Sequence, residues 1–409
     1  MPEFPYNRLR RWPDVEADNL QAHDATDVLL VERALALDVD GSETAVIGDE
    51  YGAITLALVD AGRHGIRVHQ DLATGRRALR RNADELGLTG FTSHELDPAL
   101  LDGARLVLLQ LPKSLAELEE VTDAVARWAA PDAVLVAGGR VKHMTLTQNE
   151  VLGRSFAQVQ AQRAERKSRL IVASDPRPVP ADPPFPVTAT HDGLTLVAHG
   201  GAFAGARLDI GTRVLLDVLG LGGARPLDGE QLRKNAPDRA GNSSNGPESD
   251  GSCGVVHGRD PGRDPSRVLD FGCGTGALAV SYALAHPEAR VTATDRSAAA
   301  VASARATAAA NGVADRVTVT HDDAASEVPD ASVDVVLLNP PFHLGASIHT
   351  GAATRLFEAA ARVLRPGGEL FAVYNSSLVY RPELTRLVGA TEQLKRTPKF
   401  TVTRSVRSS

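Results

Sequence analysis

Cysteine is almost absent. Only Cys253 and Cys273 occur in 409 residues, far apart and in no metal-ligand spacing. That excludes a disulfide scaffold or zinc module and fits a reducing compartment, so a cytoplasmic location and no bound metal are expected. Long apolar runs are missing as well. None is long enough to cross a bilayer, and the first residues lack the apolar segment of a signal peptide, so no membrane partner is expected. Nor is there an excess of positive charge. The formal net charge of −7 argues against general polyanion binding, and any nucleic-acid contact needs local basic patches. Candidates are Arg76, Arg77, Arg80 and Arg81; Arg163, Arg166, Lys167 and Arg169; and an acid-free tail after Glu392 with Lys395, Arg396, Lys399, Arg404 and Arg407. Each reads first as a solvated face. Phe400, inside the last cluster, can stack on a base or belong to the core.

What the chain does have is length for two domains and one informative tetrapeptide, Asn339-Pro340-Pro341-Phe342. It follows Val335-Val336-Leu337-Leu338, an apolar run that reads as a buried parallel strand. Two prolines cannot continue a ladder, so the chain turns out at the strand end, where open α/β sheets bind ligands. An amide, a proline carbonyl and an aromatic face presented together can grip a planar molecule bearing an amino group. Upstream, Arg267–Phe271 reads as a strand, Gly272-Cys273-Gly274-Thr275-Gly276 as a glycine turn, and Ala277–Ala285 as a helix. The turn lacks the Lys-Ser/Thr of a phosphate loop. A second strand ends at Asp295, 23 positions after Gly272, a spacing suited to an acid that binds ribose hydroxyls; the alternative is helix capping before Ser297. A third strand leads to Asp322 and Asp323. Cys273 reads as a small spacer, with no His beside it to make a nucleophile.

The first half repeats the second. Gly48 and Asp71 stand 224 positions before Gly272 and Asp295, and Leu106–Pro112 parallels the strand and turn around Asn339. Asp182-Pro183-Pro184-Phe185 mimics the tetrapeptide but sits in a proline-rich stretch with no strand before it, and reads as linker.

Strand with glycine turn, strand with Asp, strand with Asp and strand with Asn-Pro-Pro-Phe, in that order, resembles the class I S-adenosylmethionine-dependent methyltransferases. His343 after the tetrapeptide, and Leu208-Asp209-Ile210-Gly211-Thr212 upstream, resemble the ribosomal RNA guanine-N2 methyltransferases of the RlmG/RsmC type. Gln110–Lys113 followed by Gly138–Lys142 lies closer to RlmG and a large-subunit target. The resemblance implies an α/β fold of two tandem Rossmann-like class I methyltransferase domains. Residues 1–174 would be a degenerate copy that binds RNA or supports the fold, 175–186 a linker, and 187–409 the catalytic domain with a flexible insertion at 226–266. Asp49 and Glu50 replace Cys273 and Gly274 in the first copy, which crowds its turn and adds negative charge.

By the same resemblance, Asn339, Pro340 and Phe342 are catalytic. Asp270, Gly272, Gly274, Gly276, Asp295, Asp323 and, less surely, Asp322 hold S-adenosylmethionine, with Asp209, Gly211 and Thr212 closing over it. Phe342, His343 and Phe203 meet the substrate, although a surface role for His343 is as good a reading; the basic tail adds Lys399 and Phe400 as substrate contacts. The implied partner is naked or partly assembled ribosomal RNA, and a monomer is expected. Two alternatives stay open: an amino methyltransferase acting on adenine N6 or protein glutamine, and a non-catalytic RNA-binding assembly factor that kept the fold.

Overall fold

The computed structural model describes residues 4–17, 19–222, 267–340 and 349–409. The insertion 226–266 and residues 341–343 of the substrate turn lie outside them. The chain forms two compact units. Unit 1 comprises Met1–Val187, His199–Gly205 and Arg296–Ala299, and unit 2 comprises Thr188–Ala198, Ala206–Asp295 and Ala300–Ser409.

Unit 1 begins with α1 (Ala25–Leu37), β1 (Thr44–Ile47), α2 (Ala53–Asp60), β2 (Ile66–His69), α3 (Ala73–Leu86) and β3 (Phe91–His94). It continues with α4 (Pro98–Leu101), β4 (Leu106–Gln110), α5 (Leu115–Trp128), β5 (Val134–Arg140), α6 (Leu146–Ser155), β6 (Phe156–Ala161) and β7 (Ser168–Pro176). The sheet order is β3-β2-β1-β4-β5-β7-β6, with β7 antiparallel to both of its neighbours. The stretch Asp182–Phe185 lies between β7 and the next strand, with Asp182, Pro183 and Pro184 exposed.

Unit 2 holds a two-stranded ribbon, β8 (Val187–His191) and β9 (Leu194–Ala198), then α7 (Ile210–Val218), β10 (Arg267–Phe271), α8 (Ala277–Ala285), β11 (Arg290–Asp295) and α9 (Ala298–Ala310). There follow β12 (Val317–His321), β13 (Val333–Leu338), α10 (His349–Val363), β14 (Leu364–Asn375), α11 (Arg381–Leu387), β15 (Thr391–Arg396) and β16 (Phe400–Val406). Its sheet order, β12-β11-β10-β13-β14-β16-β15, repeats that of unit 1 strand for strand. The internal repeat is thus a repeat of topology.

The central strands are mostly apolar because helices cover both faces. Alternate residues serve opposite cores. Val268, Val335, Leu337 and Phe371 pack with Leu215, Leu278 and Val301, while Leu269, Val336, Leu338 and Leu370 pack with Phe357, Ala360 and Leu384. A one-residue slip of β13 would exchange these sets and move Asn339 off the sheet rim. Leu337 is fully buried. Leu337→Ala should lower the stability of unit 2 by about 2–5 kcal/mol, read as a reduced urea midpoint at unchanged slope.

Candidate active site

Strand register assembles the site. Phe271 pairs with Leu338 on one side and with Thr294 on the other, and Asp295 pairs with His321. Gly272, Asn339, Asp295 and Asp322 therefore emerge side by side at the carboxyl ends of four adjacent strands. The strand order reverses between β10 and β13, the crevice where doubly wound sheets bind ligands.

Gly272, Gly274 and Gly276 all have left-handed backbones, with φ of 72°, 52° and 79°. A Cβ at Gly276 would meet Ala304 at 3.0 Å, whereas at Gly272 and Gly274 it would meet nothing within 4 Å. The first two glycines thus flank open space, and the third permits close helix packing. The loop is braced from β11: Thr294 O accepts the N–H groups of Gly272 and Cys273, and Asp295 Oδ2 accepts that of Gly274 at 2.9 Å. Asp270 lies beneath, 1% exposed, and its Oδ2 accepts the Ala279 N–H of α8 at 2.9 Å. Its other oxygen is buried without a hydrogen-bond partner among the described residues. Burial pushes the Asp270 carboxyl up to about 7; the Ala279 N–H opposes the shift and Asp295 adds to it. Burial also raises the Cys273 thiol well above its ordinary value, which suits an inert spacer. An open cradle of left-handed glycines and an orphaned carboxylate oxygen fit a ligand with a cationic amino-acid end, as S-adenosylmethionine has.

Asn339 holds the other side. Its Nδ2 donates to Asp209 Oδ2 and to Thr212 Oγ1, both at 3.0 Å. Asp209 caps α7, its Oδ2 also accepting the N–H groups of Gly211 and Thr212. A carboxylate only accepts, so the amide orientation is fixed with nitrogen toward α7. Asn339 Oδ1 is then left buried with no partner among the described residues. An ideal Cβ on Gly211 would stand 3.1 Å from Asp209 Oδ2, 3.2 Å from Asn339 Oδ1 and 3.2 Å from Phe400 Cε1. Gly211 is therefore the space that lets helix start, amide and aromatic ring converge.

The surroundings of the other expected site residues are as follows. Asp209 and Thr212, expected to close over the cofactor, have side chains that engage Asn339, because α7 begins against the end of β13. Asp322 is 2% exposed, and its carboxylate accepts Ser326 Oγ at 2.5 Å and Glu327 N–H at 2.9 Å within its own turn. Asp323 remains the adenine-side candidate, held by Arg355 at 2.7 Å, a partner that sequence reasoning missed. Phe203 is 59% exposed and is grouped with unit 1. Lys399 is exposed beside Phe400, its carbonyl accepting the Ser376 N–H. Pro340 is buried directly after Asn339; Phe342 and His343 lie outside the described residues.

In unit 1 the corresponding loop is filled. Asp49 is fully buried and accepts the N–H groups of Ile54 and Thr55 at the start of α2. It anchors the helix as Asp270 does in unit 2, but from within the loop, where the ligand space would be.

Fold and site together define a class I methyltransferase with a duplicated sheet. A family model described as RLMG N-terminal domain matches residues 3–177, and one described as methyltransferase small domain matches 260–404. Ribosomal RNA large subunit methyltransferase G of Streptomyces coelicolor is 34% identical over 98% of this chain and 97% of its own length. The Pseudomonas putida protein of the same name is 33% identical over 97% of each chain. A solved structure of the T. thermophilus 16S rRNA N2 methyltransferase RsmC, in complex with AdoMet and guanosine, covers 94% of this chain and 92% of that one at TM-score 0.68 and 23% identity, a likeness of fold. The chain belongs to the ribosomal RNA large subunit methyltransferase G family.

The Asp270 shift makes a pH prediction. An unfolded Asp titrates near about 4, so between there and about 7 the folded protein holds a proton that the unfolded chain has lost. This group stabilises at low pH, and that stabilisation is lost as pH rises to 7. The stability of the parent minus that of Asp270→Asn should fall by about 1 kcal/mol per pH unit between pH 5 and 7. Urea unfolding at several pH values measures it, and parallel curves for the two proteins would contradict it.

Proposed function

We propose that this protein transfers a methyl group from S-adenosylmethionine to the exocyclic N2 amine of a guanine in large-subunit ribosomal RNA. The observation behind the chemistry is the orphaned Asn339 Oδ1, a buried acceptor whose own nitrogen is committed elsewhere. Leaving such a group unmatched costs about 1–3 kcal/mol, which an incoming N–H removes. The names of the relatives support the ribosomal RNA substrate.

When bound, S-adenosylmethionine supplies a methyl group on a cationic sulfur. Gly272, Gly274 and Gly276 give its methionine end room, Asp270 meets its ammonium, Asp295 the ribose and Asp323 the adenine. On the substrate side, Asn339 Oδ1 and the Pro340 carbonyl accept the two amine N–H bonds. The guanine amine is a poor nucleophile because its lone pair is delocalised into the ring. Holding both hydrogens at fixed acceptors turns that lone pair out of conjugation and favours the pyramidal, partly positive nitrogen of the transition state. No strong base is needed before transfer, since the product ammonium sheds its proton readily. Phe342 stacks on the base, and Phe400 walls the slot beside Gly211.

RNA binding is local, because the chain is acidic overall. In unit 1 the strand pairing Arg140↔Ser168, and the Val141 N–H to Lys167 O bond at 3.0 Å, bring Arg140, Lys142 and His143 beside the β6–β7 turn with Arg163, Arg166 and Lys167. Arg166 pairs with Glu32, and Arg140 with Asp24. Lys142, Arg163 and Lys167 are exposed with no ion-pair partner among the described residues, Glu165 being the one acid of the turn. This edge suits phosphates, which position without reading sequence.

Incubation with labelled cofactor and unmethylated rRNA of each subunit tests the proposal. The expected outcome is label in large-subunit RNA, recovered as N2-methylguanosine after digestion. Label in neither RNA would discard it, and label on adenine would replace it with the N6 reading. The triple variant Lys142→Ala, Arg163→Ala, Lys167→Ala should weaken RNA binding and lower the salt slope of log K by about 2, at about 0.7–0.9 for each phosphate no longer neutralised. An unchanged slope by filter binding would remove this edge from the interface.

A further inference from the structure

We propose that Asp209 and Thr212 are positioning residues for the methyl transfer: they hold the Asn339 amide in the one orientation that presents its oxygen to the substrate amine. This rests on the function proposed above and adds to it what keeps the amide from turning over. A free carboxamide has two nearly isosteric orientations, and only one puts an acceptor on the substrate side. With the amide reversed, Nδ2 would face the amine hydrogens, donor against donor.

Asp209 Oδ2 and Thr212 Oγ1 lie 3.0 Å from Nδ2. They stand at the cap and third position of α7, so the turn geometry of one helix start sets both acceptors. Reversing the amide would set Oδ1 against a carboxylate oxygen, which is repulsive, and would forfeit a charge-assisted bond. Gly211 between them carries no side chain, which leaves Oδ1 its space.

Unit 1 offers an internal comparison. There Asp24 caps α1, Asp27 stands at its third position, and Gln110 at the end of β4 donates to Asp27 Oδ1. An amide can therefore tie a strand end to a helix start with no chemistry attached. Unit 2 differs in leaving the amide oxygen orphaned, so a test must separate positioning from support.

A double-mutant cycle does so. Ser caps helices about as well as Asp but is too short to reach Asn339, so Asp209→Ser retains the helix start. Thr212→Val keeps the side-chain shape and removes the acceptor. The readouts are single-turnover methyl transfer, urea midpoint, and calorimetric affinity for S-adenosylhomocysteine and then for guanosine. Asp209→Ser and Thr212→Val should each slow transfer and weaken guanosine at least tenfold, with S-adenosylhomocysteine affinity unchanged and only a small fall in urea midpoint from the lost hydrogen bond. In an Asn339→Ala background, Asp209→Ser should add less than a twofold effect, because the group it positions is gone. Equal cost in both backgrounds, or full activity of both single variants, would overturn the inference. Asn339→Ala with undiminished transfer would instead sink the functional reading on which it rests.

Discussion

One side-chain amide, donating twice and left with an unmatched oxygen, is the interaction around which the catalytic half is arranged. Asn339 can play that part only because β13 ends where α7 begins, and because Gly211 leaves room at the junction. The buried strands fix the height at which the amide emerges. The glycine turn after β10 and the acid after β11 fix what stands beside it. Preorganisation of this kind places the cost of desolvating a polar acceptor in the folding of the protein rather than in the reaction.

The duplicated unit throws this arrangement into relief. Both units repeat the same seven-strand order, and in both a strand-end amide reaches the start of a helix. The difference lies in the loop after the first strand of each sheet. Unit 2 supports α8 from below, with Asp270 on the strand itself, so the loop above stays open. Unit 1 supports α2 from within the loop, with buried Asp49, and Glu50 follows where a left-handed glycine stands in the other copy. Moving one carboxylate three positions along the chain preserves the helix anchor and closes the ligand space. What unit 1 keeps at its edge is positive charge, supplied by two stretches far apart in sequence that strand pairing joins.

Much of this was legible in the chain because it is written locally. Alternation of cores along β10 and β13, the turn-forming glycines, Asp295 at its strand end and the paired prolines after Asn339 each follow from a few adjacent residues. The repeat of topology followed from equal offsets between the halves. The rest was hidden for one reason: it depends on contacts between distant segments. Asp209 reads as part of a motif that closes over the cofactor; in the structure it caps α7, and nothing local says that it also binds an amide 130 positions away. Asp322 reads as a ligand acid beside Asp323, and nothing local says that it also braces its own turn. Arg163, Arg166 and Lys167 read as a solvated charge run; nothing local says that the pairing of β5 with β7 brings their turn beside Lys142.

The most direct test of the central claim is a crystal structure of the protein with S-adenosylhomocysteine and guanosine. The account predicts the guanine N2 within hydrogen-bond distance of Asn339 Oδ1 and the Pro340 carbonyl, with Asn339 Nδ2 still on Asp209 and Thr212. A base docked elsewhere, or an amide turned with its nitrogen toward the base, would contradict it.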